Sequence, residues 1–270
     1  MSVLACPVCG EKLEISGKTY HCPNRHSFDI ARSGYVNLLL SKQAGKAVHG
    51  DNKLMVAARR DFLEAGHYEN LRTALCEKAA EFAAESSVIL DAGCGEGYYT
   101  SAIVDRSEVA VEVTGIDISK SAVEFAAKRK CGAVFAAGSV FHLPVVSDSC
   151  DILVTLFAPY CGEEFLRVLK TGGIMIMAIP SENHLWELKS AIYDTPYKNE
   201  VKDYELEGFE FLGTQRLTRK ISLTDSQEIQ SLFSMTPYYY KTGVKEQERL
   251  RKLTELEVTT DFELLTYRKK

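Results

Sequence analysis

Two groups of residues in this sequence have the types and spacing that chemistry requires. The first is Cys6-Pro7-Val8-Cys9 together with Cys22-Pro23-Asn24-Arg25-His26, two tight turns with twelve residues between Cys9 and Cys22. Thiolates and imidazoles are the donors of tetrahedral zinc, and a hairpin across Ser16-Gly17 would bring the turns together. Three sulfurs and one nitrogen leave no open coordination position, so a metal held there is structural rather than catalytic. His21 competes with His26 for the fourth place, although its side chain is expected to leave the hairpin away from the second turn.

The second group is Asp91-Ala92-Gly93-Cys94-Gly95-Glu96-Gly97, after the apolar run Val88-Ile89-Leu90. Glycines at alternate positions let backbone N–H groups approach a ligand closely. The spacing is not the Gly-x-Gly-x-x-Gly of dinucleotide sites, and Asp91 would repel a pyrophosphate. An acid there suits an ammonium group, such as the one on the methionine end of S-adenosylmethionine (SAM). Asp117 lies 26 residues further on, at the end of the run Glu112–Asp117. An acid ending the second strand of a doubly wound sheet hydrogen-bonds ribose hydroxyls.

These residues need strands ending at Asp91 and Asp117, and the chain supplies them. Residues 98–105 read as a helix, 112–117 as a strand, 120–130 as a helix capped by Ser119, and 133–137 as a third strand running into Gly138-Ser139. Residues 149–156 form a fourth strand ending at Phe157-Ala158-Pro159-Tyr160, and Gly172-Gly173 precede the apolar residues 174–179. Alternation of strand and helix predicts a parallel sheet covered on both faces. The fold class is therefore α/β, a Rossmann-like sheet with a small N-terminal zinc-binding module. The expected division is 1–40 for the module, 41–52 for a linker with Lys42 and Lys46, and 53–270 for the sheet domain. Helices are expected over 53–65 and 68–84, with Tyr68 at their junction, and residues 35–40 as a strand packing on the module. Residues 183–193 read as a helix carrying His184, and 209–217 and 262–268 as an antiparallel pair at the sheet edge.

No apolar run approaches the length of a membrane span, and eight cysteines with three in the first 22 residues fit a reducing compartment, so the expected location is cytoplasmic. The net charge of −5 combines +5 over residues 1–60 with −10 over 61–270. A basic segment on an acidic body suits a polyanionic partner such as nucleic acid; lysines that merely solubilise a small zinc module would look the same.

The sequence resembles the bacterial 23S ribosomal RNA (guanine-N1)-methyltransferases. The matching pieces are the two cysteine turns continued through Ser27-Phe28-Asp29, the segment Gly34-Tyr35-Val36-Asn37-Leu38-Leu39, and Ala58-Arg59-Arg60 with Phe62-Leu63 and Ala65-Gly66-His67-Tyr68. Asp91 to Thr100, Ala158-Pro159, His184-Leu185 with Glu187-Leu188-Lys189, and Met235-Thr236-Pro237 also match. The resemblance implies zinc on Cys6, Cys9, Cys22 and His26, and SAM contacts from Tyr68, Glu96, Gly97 and His184 beside Asp91, Gly93, Gly95 and Asp117. It implies methyl transfer to one guanine in a hairpin of 23S rRNA, with no membrane partner; a homodimer is left open. Small-molecule methylation and a non-enzymatic SAM- and zinc-binding role remain the competing readings. Neutral guanine carries a proton on N1, which an acceptor must take or a donor to O6 must help release. His184, Asp151 and Tyr160 are candidates on position alone, and the sequence assigns no catalytic residue.

Overall fold

The computed structural model describes residues 3–40, 53–200 and 204–270; Lys42, Lys46 and the rest of the expected linker lie outside the described residues. In the N-terminal part, β1 (Glu14–Ser16) and β2 (Thr19–His21) form the expected hairpin, and β3 (Ser27–Asp29) pairs with the other side of β2. Then comes β4 (Val36–Asn37), followed after the undescribed stretch by α1 (Lys53–Glu64) and α2 (Glu69–Ala80). One half of the main sheet is wound by β5 (Ser87–Ala92), α3 (Tyr98–Arg106), β6 (Val111–Asp117), α4 (Lys120–Lys128) and β7 (Val134–Ala137). The other half follows with β8 (Cys150–Leu156), α5 (Gly162–Val168), β9 (Leu169–Pro180) and α6 (Trp186–Ile192). The chain closes with β10 (Phe209–Leu223), α7 (Ser226–Ser234), α8 (Val244–Arg251) and β11 (Leu256–Lys269).

The main sheet has the order β10-β11-β9-β8-β5-β6-β7-β4. β11 runs antiparallel to β9 and β10, and the remaining neighbours are parallel. Both faces are buried, as the two-residue period requires. Ile89, Ile152, Ile176 and Phe262 face a layer shared with α2 and α6, while Leu90, Leu153, Met175 and Leu265 face the other. The antiparallel pair is longer than expected, reaching Leu223 opposite Leu256. Its alternation fades in the sequence because β10 is an edge strand exposing Arg216, Thr218 and Lys220 to solvent or to polar partners on β11.

The position of residues 35–40 extends the expectation. β4 pairs in parallel with β7, Val36 opposite Ala136, and so joins the main sheet, while Val36 also bridges antiparallel to Ile30 and keeps the expected packing on the module. The zinc segment follows it onto the body. The Ala5 N–H donates to the Pro144 carbonyl at 2.8 Å, and Val146 N–H to the Val3 carbonyl at 2.9 Å. Leu4, Leu13, Tyr20, Val36 and Leu38 share one apolar layer with Leu90, Ile116 and Leu153 of the sheet.

From β5 the chain turns outward to β6 and β7, then returns to lay β8 on the other side of β5. The crevice outside the carboxyl ends of β5 and β8 is where sheets of this topology take their ligands.

Candidate active site and metal centre

Asp91 is the fifth residue of β5 and is buried. Thr100 on α3 donates its hydroxyl to Asp91 Oδ2 at 2.5 Å, and Oδ1 is buried with no hydrogen-bond partner. Burial pushes the Asp91 carboxyl up to about 7, with Asp117 and Glu96 adding repulsion and the Thr100 bond opposing. The following turn has all three glycines at positive φ. At Gly93 a Cβ would lie 2.3 Å from the Ala158 Cβ, so the β8 loop closes against the turn only because this residue has no side chain. Gly97 is under similar pressure from Ala126 on α4, whereas the Cβ position at Gly95 is open space.

Asp117, at the end of β6, reaches the same turn. Its Oδ2 accepts from Gly95 N–H at 3.0 Å and its Oδ1 from Ser119 N–H at 2.8 Å. Glu96 is buried, and its Oε1 has no hydrogen-bond partner although Arg129 Nη2 lies 3.8 Å away. Burial also raises the Glu96 carboxyl, against the pull of Arg59 and Arg129. The Tyr99 hydroxyl is the third buried polar atom without a partner around this turn. Buried acceptors left unmade are costly, so the turn is built for a ligand offering a cation and hydroxyl donors. The ammonium and ribose of SAM fit that requirement; a pyrophosphate does not.

Tyr68 and His184 come together as the sequence could not show. Tyr68 precedes α2 and is buried, with its ring 6.2 Å from that of His184 and 4.9 Å from Phe262. His184 lies in the turn before α6, not on the helix. Its Nδ1 accepts from Asp261 N–H at 3.3 Å, which places the proton of the neutral ring on Nε2. Burial, aided by the Lys189 charge, holds the imidazole down to about 3. His184 is therefore a donor at neutral pH and does not serve as the acceptor for the N1 proton. The rest of its motif anchors the turn. Glu187 accepts from the Thr259 N–H and hydroxyl at 2.8 and 2.7 Å, and the buried Lys189 donates to Tyr197 O and Asn199 Oδ1.

The other two candidates are placed differently: Asp151 is away from the crevice and Tyr160 is at its rim. Asp151 sits at the amino end of β8, where it accepts from Val88 N–H at 2.9 Å and Lys170 Nζ at 2.7 Å, across the sheet from the glycine turn. Tyr160 lies on the rim after β8, and burial lifts its hydroxyl further from ionisation at neutral pH. Thr100, Tyr99 and Phe262 were not legible as site residues, whereas Phe157 falls at the ligand end of the fourth strand, as its place in the sequence implies. Only the nine-residue spacing of Asp91 and Thr100, strand end to first turn of the next helix, carried a local signal.

In the metal centre, the donor atoms of Cys6, Cys9, Cys22 and His26 all lie within 4.8 Å of one another. Cys9 Sγ is 3.6 Å from Cys22 Sγ, and His26 Nδ1 is 3.3 Å from Cys22 Sγ and 3.5 Å from Cys6 Sγ. Tetrahedral zinc with Zn–S near 2.3 Å and Zn–N near 2.0 Å requires S···S of about 3.8 Å and S···N of about 3.5 Å. The donor set and its spacing fit that ion. His21 is exposed on β2 and takes no part in the cluster.

A sheet of this order, whose first turn presents unpaired acids instead of a phosphate cradle, defines a class I SAM-dependent methyltransferase. Residues 84–235 match the family described as Methyltransferase domain, and residues 4–43 match the one described as RlmA, N-terminal, a zinc ribbon. A provisionally named 23S rRNA (guanine-N(1)-)-methyltransferase of Micromonospora griseorubida is 34% identical over 291 residues, covering 98% of this chain and 97% of its own. The 23S rRNA (guanine(748)-N(1))-methyltransferase of Streptomyces fradiae is 35% identical over 192 residues, 70% of this chain and 67% of its own. The chain belongs to the 23S rRNA (guanine-N1)-methyltransferase family, and its methyltransferase domain and zinc ribbon make its cofactors SAM and zinc. A solved structure from work on the conversion of a disulfide bond into a thioacetal group during echinomycin biosynthesis shares the fold. Its TM-score is 0.50 at 16% identity, covering 74% of this chain and 81% of that one. Among the described residues no helix is long and apolar enough to cross a membrane.

Proposed function

We propose that this enzyme methylates N1 of one guanine in a hairpin of 23S rRNA, in the cytoplasm, as a monomer or homodimer. The observation that carries the reading is that similarity to relatives named for this reaction runs through both the zinc segment and the cofactor sheet, 98% of the chain for one of them. SAM supplies an electrophilic methyl group together with its leaving group, so the chain's task is alignment and exclusion of water. Asp91 would take the ammonium end and Asp117 the ribose. Glu96, Gly97, Tyr68 and the His184 Nε2–H would complete the cofactor site with Gly93 and the open face of Gly95. Cys6, Cys9, Cys22 and His26 would hold zinc, which stiffens the basic segment offered to the RNA. The target guanine must leave its stack to reach the crevice, and a loop base does so at the smallest cost.

The test is to methylate rRNA from a strain lacking the gene and to map the product by primer extension. N1 methylation blocks Watson–Crick pairing, so a single new stop on 23S rRNA is expected, with the position named for the Streptomyces fradiae relative the first to inspect. Methyl incorporation into a small molecule, with none into rRNA, would overturn the reading.

A further inference from the structure

Phe157 follows β8 directly, with its backbone in the left-handed region at φ 57° and the residue 48% exposed. Glycine would occupy that backbone without strain, and a bulky side chain seldom does; strained residues persist where surroundings hold them for a purpose. The surroundings account for the backbone: Phe157 N–H donates to the Ala178 carbonyl at 3.3 Å, and the next residue, Ala158, is the one that Gly93 approaches. They do not account for an aromatic ring left half in water. The ring is backed by Phe262 at 5.5 Å between centroids, and Phe262 packs on His184 at 4.6 Å and on Tyr68 at 4.9 Å. Phe157 thus ends a wall of rings that begins among the cofactor-site residues and comes out at the switch-point crevice. Phe141 and Tyr160 are also exposed at this end of the sheet, but both have ordinary backbone φ and neither joins that wall.

We propose that Phe157 is the platform on which the target guanine stacks once it has left its RNA neighbours. A base pulled from a helix loses two stacking partners, and an aromatic face beside the methyl donor replaces one of them without needing hydrogen-bond geometry. The strained backbone then has a use: it turns the side chain out of the sheet layer and over the crevice. This assignment rests on the rRNA reading above.

The test compares Phe157→Leu, Phe157→Ala, Phe157→Tyr and Phe157→Trp in the full-length zinc-loaded enzyme. Leu and Ala remove the ring, and the Kd for a 23S rRNA hairpin transcript should rise roughly 5- to 150-fold, the range of one base–aromatic stack. SAM binding by calorimetry should stay within about twofold, and Tyr and Trp should restore RNA affinity to within a few-fold. A transcript with 2-aminopurine in place of the guanine mapped by primer extension gives a second readout. Its fluorescence should be quenched by wild type and by the Trp variant but not by the Leu variant. Phe157→Gly removes ring and strain together, so low RNA affinity with intact SAM binding in that variant assigns the loss to the ring rather than to misfolding. Wild-type affinity and quenching in Phe157→Leu would overturn the platform while leaving the rRNA reading intact. Absence of N1 methylation by wild type would overturn both.

Discussion

Thr100 Oγ1 and Asp91 Oδ2 are joined by a 2.5 Å hydrogen bond that crosses from α3 to β5 and leaves Asp91 Oδ1 buried without a partner. The bond holds the carboxyl in one orientation, and burial keeps it half protonated near pH 7. A ligand ammonium favours the carboxylate, so below about pH 7 SAM binding must expel a proton. SAM affinity is expected to rise up to about tenfold per pH unit towards pH 7 and to level off above it. Calorimetry in two buffers of different ionisation enthalpy checks this; identical heats at pH 6 would refute it.

The same carboxyl sets a stability trend of opposite sign. Its native pKa of about 7 stands above the model-peptide value of 3.8, so the native state holds a proton that the unfolded chain has released. The resulting stability is fully present below about pH 4 and is lost as pH rises through 7, at up to about 1.4 kcal/mol per unit. Asp91→Asn should therefore melt at a higher temperature than wild type at pH 8 without ligand, with the difference shrinking at pH 5. The variant should bind SAM more weakly by roughly 1–3 kcal/mol. A variant that melts lower at pH 8 would show that Asp91 is stabilising even without its ligand.

Asp117 acts at the other end of the cofactor. Because both its oxygens already accept backbone N–H groups, Asp117→Ala loosens the glycine turn as well as removing a ribose acceptor. SAM and free adenosine should both lose roughly 1–3 kcal/mol of binding, whereas Asp91→Asn should leave adenosine nearly untouched. Equal loss of adenosine binding in the two variants would mean that the two ends have been exchanged.

Zinc removal should be felt beyond the ribbon. Leu4, Leu13 and Tyr20 lie in the same apolar layer as Leu90 and Leu153, so the cluster that orders them also covers one face of the sheet. Cys9→Ser or chelation is expected to lower the single melting transition of the whole chain and to weaken SAM binding secondarily. Two separate transitions, with the SAM-protected one unmoved, would show instead that the sheet domain stands without its ribbon.

Arg59 and Arg60 should separate by function. Arg59 donates to the Met235 carbonyl at 3.4 Å, and its charge partly offsets the burial that raises the pKa of Glu96 and of Tyr99 in the cofactor site. Arg60 pairs with Asp61 at 2.7 Å and lies 5.0 Å over the Phe125 ring. Arg59→Ala is expected to reduce SAM affinity several-fold, and Arg60→Ala to leave it within about twofold. Isothermal titration of both variants decides this.

Much of the site was legible from local pattern. The cysteine spacing announced the metal donors, and the acid and glycine turn announced a cationic ligand rather than a phosphate, because these features depend on residues close in the chain. The strands ending at Asp91 and Asp117 were equally plain, since a two-residue period and a turn are short-range steric facts. Less visible was the length of β10 and β11, where an edge strand with one polar face blurs the alternation.

Only the tertiary structure decided which end of the sheet each residue meets and what protonation state it holds. Asp151 was a candidate for the N1 proton on position alone, yet it sits at the amino end of β8 with Lys170. His184 looked like a base until the backbone N–H of Asp261, 77 residues away, fixed its tautomer. β4 joined the main sheet as well as the ribbon because Val36 found Ala136, a hundred residues on. The residue types and turns were set by sterics between chain neighbours. Burial, charge state and strand partnership were set by groups that folding brings from far along the chain, and these determine the desolvation that shifts a pKa or leaves an acceptor waiting for its ligand.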